Sequence, residues 1–227
     1  MGKLPALLFL DTCLLLDVIR AVVRENIGTH DVHAVLTLNA RQNASPQSLQ
    51  FAVTQQVKDE FAEHVDAIEA ETARSLDRLV QQTNGMLTSI AAFGTGAALP
   101  SPMTIQSQAL TKAIRTVADD ILNNCLIVPH SIADSHAALG RVQQARPPAT
   151  RAKQSVKDCL IIEGVLRYVI SERAVGRAQR IVFASSNTSD YHQGHGSLHP
   201  ALRAEFDACD LGFAPSWSAA RYEIDRL

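Results

Sequence analysis

Aromatic side chains are scarce in this chain: they make up 5% of its 227 residues, and there is one tryptophan. Ala, Leu, Val and Ile must therefore fill the core, and the hydrophobic fraction of 46% is ordinary for a helix-rich α/β protein. Cysteine is also sparse. Cys13, Cys125, Cys159 and Cys209 form no CxxC pair and no short ligand spacing, which argues against a thiolate metal site and reads as reduced, mostly buried thiols of a cytoplasmic protein. No run approaches the roughly 18 uninterrupted apolar residues of a membrane span. Lys3 and the apolar stretch Leu4 to Leu10 look like the start of a secretory signal, but Asp11 and Asp17 interrupt it and no small-residue cleavage pattern follows. Nor is there an excess of one charge. A formal net charge of −2 excludes a chain that coats nucleic acid nonspecifically, because that needs many phosphate-neutralising cations. It leaves room for a local basic patch.

The length predicts one domain, residues 1–227, with insertions rather than a second core. Leu7 to Leu10 is a short apolar run of the kind found in a buried parallel strand, and Leu14 to Val23 continues as a helix. Leu49 to Val53 is a second strand, with Thr54 placed to cap a long helix marked by Val57, Phe61, Val65, Ile68, Leu76 and Leu79. Asn84 and Gly85 read as its stop. A loop from Gly94 to Pro102 leads to an amphipathic helix carrying Leu110, Ile114, Val117 and Ile121. Helices follow from about Ile132 to Gln144, ended by Pro147 and Pro148, and from Ser155 to Glu172. Ile181 to Ala184 is a strand, and Leu211 to Phe213 an edge strand before a terminal helix. Such alternation predicts a mainly parallel sheet covered on both faces, with ligands beyond the carboxyl ends of its strands.

Four acidic stations fall at strand ends or helix heads: Asp11 in LLFLDT, Glu60 in VKDEF, Asp158 in VKDCLII and Asp190 in SNTSDY. Carboxylates without histidine or thiolate partners suit a hard divalent ion such as Mg²⁺ or Mn²⁺. Each acid also has a plainer reading. Asp11 can cap the first helix, Glu60 can be a solvated surface residue, and Asp158 can interact with a helix dipole. Asp158 stands in line with Ile161, Ile162, Val165 and Val169, where an unpaired carboxylate is costly.

This order of motifs resembles the PIN-domain nucleases: a strand ending in Asp11-Thr12, then Asp17; Val57 with Glu60-Phe61; Lys157-Asp158 opening an apolar helix; and Val182-Phe183 leading to Ser186-Asn187-Thr188-Ser189-Asp190-Tyr191. It is nearest a longer subgroup whose late motif reads Ser/Thr-Asn-Thr-x-Asp-aromatic. The resemblance implies a three-layer α/β/α PIN-like domain with a mainly parallel central sheet, and residues 66–124 as a helical insertion. It implies hydrolysis of RNA by a metal-activated water, with Asp11, Glu60, Asp158 and Asp190 holding Mg²⁺, or Mn²⁺ in its place. Thr12, Ser186, Asn187 and Thr188 would support them. Thr188 stands where many family members carry another aspartate, which implies one tightly held ion and a second recruited with substrate. A module that binds RNA or a protein partner without cutting is the alternative. An antitoxin partner or self-association is compatible with the family.

Arg141, Arg146, Arg151, Lys153 and Lys157 form a basic run without acids just before Asp158. Arg151, Lys153 and Lys157 are the candidate phosphate contacts, and a solvated loop is the equal alternative. His192, His195 and His199 fit no zinc template and read as a glycine-bearing surface loop. Gly94-Thr95-Gly96 lacks the lysine of a phosphate loop. A phosphatase of the haloacid-dehalogenase kind would require an aspartate where Cys13 stands.

Overall fold

The structure, a computed structural model, describes residues 4–94, 98–193 and 197–226. Lys3, Thr95, Gly96 and His195, named above, lie outside them. The elements in chain order are β1 (Ala6–Leu10), α1 (Thr12–Arg20), α2 (Thr29–Gln42), β2 (Leu49–Thr54), α3 (Gln55–Ala92), α4 (Ser107–Asn123), β3 (Leu126–Val128), α5 (Ile132–Gln144), α6 (Val156–Ala174), β4 (Ile181–Ala184), α7 (Thr188–Tyr191), β5 (His192–Gln193), β6 (Ser197–Leu198), α8 (Pro200–Ala208), β7 (Gly212–Ala214) and α9 (Trp217–Asp225).

Five strands form one parallel sheet in the order β3-β2-β1-β4-β7. β1 is central, and Leu7 to Leu10 are all buried because helices cover both faces. On one face Phe9 meets Tyr168 of α6 edge to face at 5.5 Å. On the other, Phe51 meets Trp217 of α9 at 6.1 Å, and the Trp217 indole N–H donates to the Leu14 carbonyl. The result is a three-layer α/β/α sandwich. The chain winds from β1 through β2 to β3 and then crosses to the other side of β1 at β4, so the winding reverses between β1 and β4. Open α/β sheets bind ligands at such a reversal.

Several elements depart from the reading of the sequence. α3 does not stop at Asn84 and Gly85 but runs on to Ala92. The Asn84 side chain is used otherwise: its amide donates to the Met103 carbonyl and accepts from the Met103 N–H, both at 2.8 Å, so it ties the returning chain to the helix instead of capping it. Gly94, at φ +64°, takes the left-handed conformation just past the end. α2, β3, α7, the antiparallel β5–β6 pair and α8 have no counterpart among the predicted elements. Among the described residues, no helix is long and apolar enough to cross a membrane.

Candidate active site

Leu10 and Ala184 are paired at the ends of β1 and β4, and the Asp11 N–H extends that ladder to the Ala184 carbonyl. The next residue on each strand, Asp11 and Ser185, therefore emerges at the same edge of the sheet. Asp11 is 3% exposed. One carboxylate oxygen accepts from the Thr12 N–H at 2.8 Å, so Asp11 does cap α1. The other accepts from the Ser185 hydroxyl and, at 3.1 Å, from the Cys13 thiol. Ser185 and Cys13 were not among the sequence candidates. For Ser185 a signal existed, since it follows an apolar strand as Asp11 does.

β2 ends on Thr54, whose hydroxyl accepts from the Val57 N–H and starts α3. Glu60 lies half-buried on the first turns of α3, and its Oε2 accepts from the Thr12 hydroxyl at 2.7 Å. Gln56, one turn earlier, donates to its other oxygen at 3.2 Å. Asp158 heads α6. The Asn187 amide nitrogen joins two stations, donating to Asp190 Oδ2 at 2.8 Å and to Asp158 Oδ1 at 3.4 Å. Asp190 also accepts from the Lys153 ammonium, 2.6 Å from each of its oxygens.

The electrostatics follow from this crowding. Burial pushes the Asp158 carboxyl up to about 7, the charges of Asp11, Asp190 and Glu60 push the same way, and Lys153 opposes them. Burial also raises Asp11, with Glu60 adding to the effect and the bonds from Ser185, Cys13 and Thr12 resisting it. Lys153 is held in its charged form by Asp190. Tyr191 is fully buried, its hydroxyl has no partner among the described residues, and burial followed by the charges of Asp11 and Asp158 keeps the phenol neutral.

The other candidates make their contacts outside the four acids. The Ser186 hydroxyl donates to Asp17 at 2.6 Å, bracing the loop after β4 against α1. Thr188 is exposed, and its backbone N–H closes a turn onto the Ser186 carbonyl. Lys157 pairs with Glu63 at 2.9 Å, and Arg151 is exposed. Of the remaining basic run, the Arg141 side chain is fully buried between Glu163, Glu205 and the Pro147 carbonyl, and Arg146 pairs with the same two glutamates. These two arginines link α5, α6 and α8; Arg141 presents no phosphate-binding face, and Arg146, 43% exposed, is already paired with its two glutamates. Of the histidines, His192 packs edge-on against Phe213 at 5.4 Å, and His199 Nδ1 accepts from the Ala201 N–H to cap α8.

Among the described residues, no three acidic, histidine or cysteine side chains already stand in ligand geometry. The oxygens are engaged by neighbouring donors: Asp11 by Thr12, Ser185 and Cys13, Asp190 by Lys153 and Asn187. The donor set nevertheless fits a hard cation. It consists of oxygens, its carboxylates disfavour one another's charge, and it already holds one positive group, the Lys153 ammonium.

Comparison with curated proteins and with solved structures finds no match. PIN domains have a nuclease-type fold and typically use divalent metal ions. The family profile described as the PIN domain matches residues 8–191, from inside β1 to the end of α7, and so spans all four acidic stations. The chain belongs to the PIN-domain family.

Proposed function

We propose that the chain is a Mg²⁺- or Mn²⁺-dependent endoribonuclease, and that it acts as one domain in which residues 66–124 are a helical insertion. The observation that supports this reading is the convergence of Asp11, Glu60, Asp158 and Asp190 at the reversal between β1 and β4, tied together by the Thr12–Glu60 bond and by the bonds from Asn187 to Asp158 and Asp190. Asp11, Glu60, Asp158 and Asp190 would hold the ion directly or through water. When bound, the ion lowers the pKa of an attacking water and offsets the negative charge that develops on the phosphate.

The chain's own side chains do the rest. Thr12 orients Glu60, and Ser185 with the Thr12 N–H orients Asp11. Asn187 keeps Asp190 beside Asp158. Lys153 neutralises Asp190 in the free protein, and together with Arg151 and Lys157 supplies cations for phosphates beside the site. Without metal the Asp158 carboxyl is raised to about 7, and a bound cation would favour its ionised form.

The test is the chemistry of the products. Hydrolysis by water leaves a 5′-phosphate and a 3′-hydroxyl on RNA, whereas attack by the ribose 2′-hydroxyl leaves a cyclic phosphate and requires no metal-activated water. Cyclic ends would reject the mechanism. A second reading, an RNA- or protein-binding module without cleavage, is favoured by the Lys153–Asp190 pair and by threonine at position 188. Under it, metal would not raise RNA turnover above zero while RNA or protein binding persisted.

A further inference from the structure

α3 carries one apolar stripe in two halves. In the first half Val57, Phe61, Val65, Ile68 and Leu76 are buried, and α1 and α4 pack over them. Beyond it the stripe continues in alternating four- and three-residue steps through Leu79, Thr83, Met86, Ile90 and Phe93, but here the side chains face solvent: Leu79 is 45%, Met86 66%, Ile90 39% and Phe93 84% exposed. The cover ends because α4 is too short. Arg115 of α4 pairs with Asp66 and Glu69, while Asn84 holds Met103, which precedes α4. Among the described residues, the returning chain beyond Leu79 is the non-helical segment before α4, and Met103 on it is itself 47% exposed.

The charge pattern identifies what such a surface can meet. Not one charged residue or histidine lies between Arg78 and Lys112. An RNA-binding surface needs cations for phosphates, and a helix lying on a membrane surface carries Lys or Arg on its polar face; this tip has neither. A charged protein surface would lose hydration for its charges and gain no partner for them. An uncharged surface is left, and the chain itself provides one. An identical copy meets no like-charge repulsion, and the three-four spacing is that of helices that interlock along a shared seam. We propose that the α3 tip is a self-association surface, joining two copies of the chain about a twofold axis through Leu79, Met86, Ile90 and Phe93.

At about 1.5 Å per residue the seam is about 21 Å long, which puts the contact at the small end of specific interfaces, below about 1,200 Å² in total. The dimer is therefore concentration-dependent. Phe93 lies about 50 Å along the helix from Glu60 at the same rise, so pairing leaves each carboxylate cluster open.

Sedimentation velocity of the full chain over about a hundredfold range of concentration tests the proposal. The expected result is reversible association to twice the chain mass, with Met86→Glu and Phe93→Glu each raising the dissociation constant by about tenfold or more. Leu139→Glu, which changes an equally exposed apolar residue on α5, leaves it unchanged. Circular dichroism checks folding, and Met86→Gln with Phe93→Ser gives the same direction should a glutamate variant unfold. A wild type that stays monomeric throughout, or an association that the tip variants do not weaken, overturns the proposal. The readout is mass and the carboxylates are untouched, so this result and the nuclease reading stand or fall separately.

Discussion

The Thr12 hydroxyl donates to Glu60 across 2.7 Å, joining the first residue of α1 to the first turns of α3. The two residues are 48 positions apart, and each follows a strand of the central sheet, so the bond fixes one acidic station relative to another. Hydrogen bonds to a charged group contribute about 1.5–3 kcal/mol. Thr12→Val keeps the shape and removes the donor, and is expected to lower kcat/KM for RNA cleavage by about ten- to a hundredfold, since 1.4 kcal/mol is about tenfold. Thr12→Ser restores most of it. Equal loss in both variants would mean that Thr12 acts through packing.

Lys153 and a divalent ion compete for Asp190. Thermal unfolding with and without Mg²⁺ should show Tm rising by several degrees on metal addition, as expected for a ligand that binds only the folded state. The increment should be larger in Lys153→Ala, where no ammonium has to leave Asp190. An increment equal to that of the wild type would place the bound ion away from Asp190.

Without metal, Asp158 sets a pH dependence. Its carboxyl is near 7 in the folded chain against about 3.9 unfolded, so the folded state holds the proton more tightly. The stability this confers is fully present below about pH 4 and is lost as the pH rises through about 7. The loss is at most about 4 kcal/mol, from about 3 pKa units. Denaturation in EDTA across this window should show falling stability with rising pH, and Asp158→Asn should flatten the slope. A wild-type profile as flat as that of the variant would show that Asp158 ionises freely.

Arg141 should behave as a structural residue. Its buried guanidinium lies between Glu163 and Glu205, and removing one partner of a buried ionic cluster costs about 3–5 kcal/mol. Arg141→Ala is expected to lower the urea midpoint markedly. Arg151→Ala, at an exposed position, is expected to leave the midpoint unchanged and to weaken RNA binding with a reduced salt dependence.

What could be read in the sequence depended on whether a residue's partner was local. β1, β2 and β4 announce themselves as short apolar runs, and α3 and α6 as stripes with helical spacing, because their burial follows from their own patterns. α2 is different: its inward side includes Asp31 and Gln42, which are buried because Asp31 accepts from the Ser218 N–H and Gln42 holds the backbone of β2. No periodicity of apolar residues reveals such partners, although Ala34, Val35 and Leu38 offered a weak one. Pro200 after His199, with Leu202 and Phe206 one turn apart, was a readable start for α8. At the site, the four acids stood out by their places after strands and at helix heads. Ser185 shares that place after a strand, but its bond to Asp11, like the Lys153–Asp190 pair, arises from a strand pairing and a loop whose closeness exists only in the folded chain. The basic run misled at Arg141 and Arg146, where the compensating acids come from α6 and α8.

The most direct test of the central claim is cleavage of end-labelled RNA by the full chain with Mg²⁺ or EDTA, comparing the wild type with Asp11→Asn and Asp158→Asn. Metal-dependent cutting by the wild type, absent in EDTA and abolished by either substitution, is the predicted result. RNA bound but uncut with metal present, or cutting that persists in both variants, would contradict it.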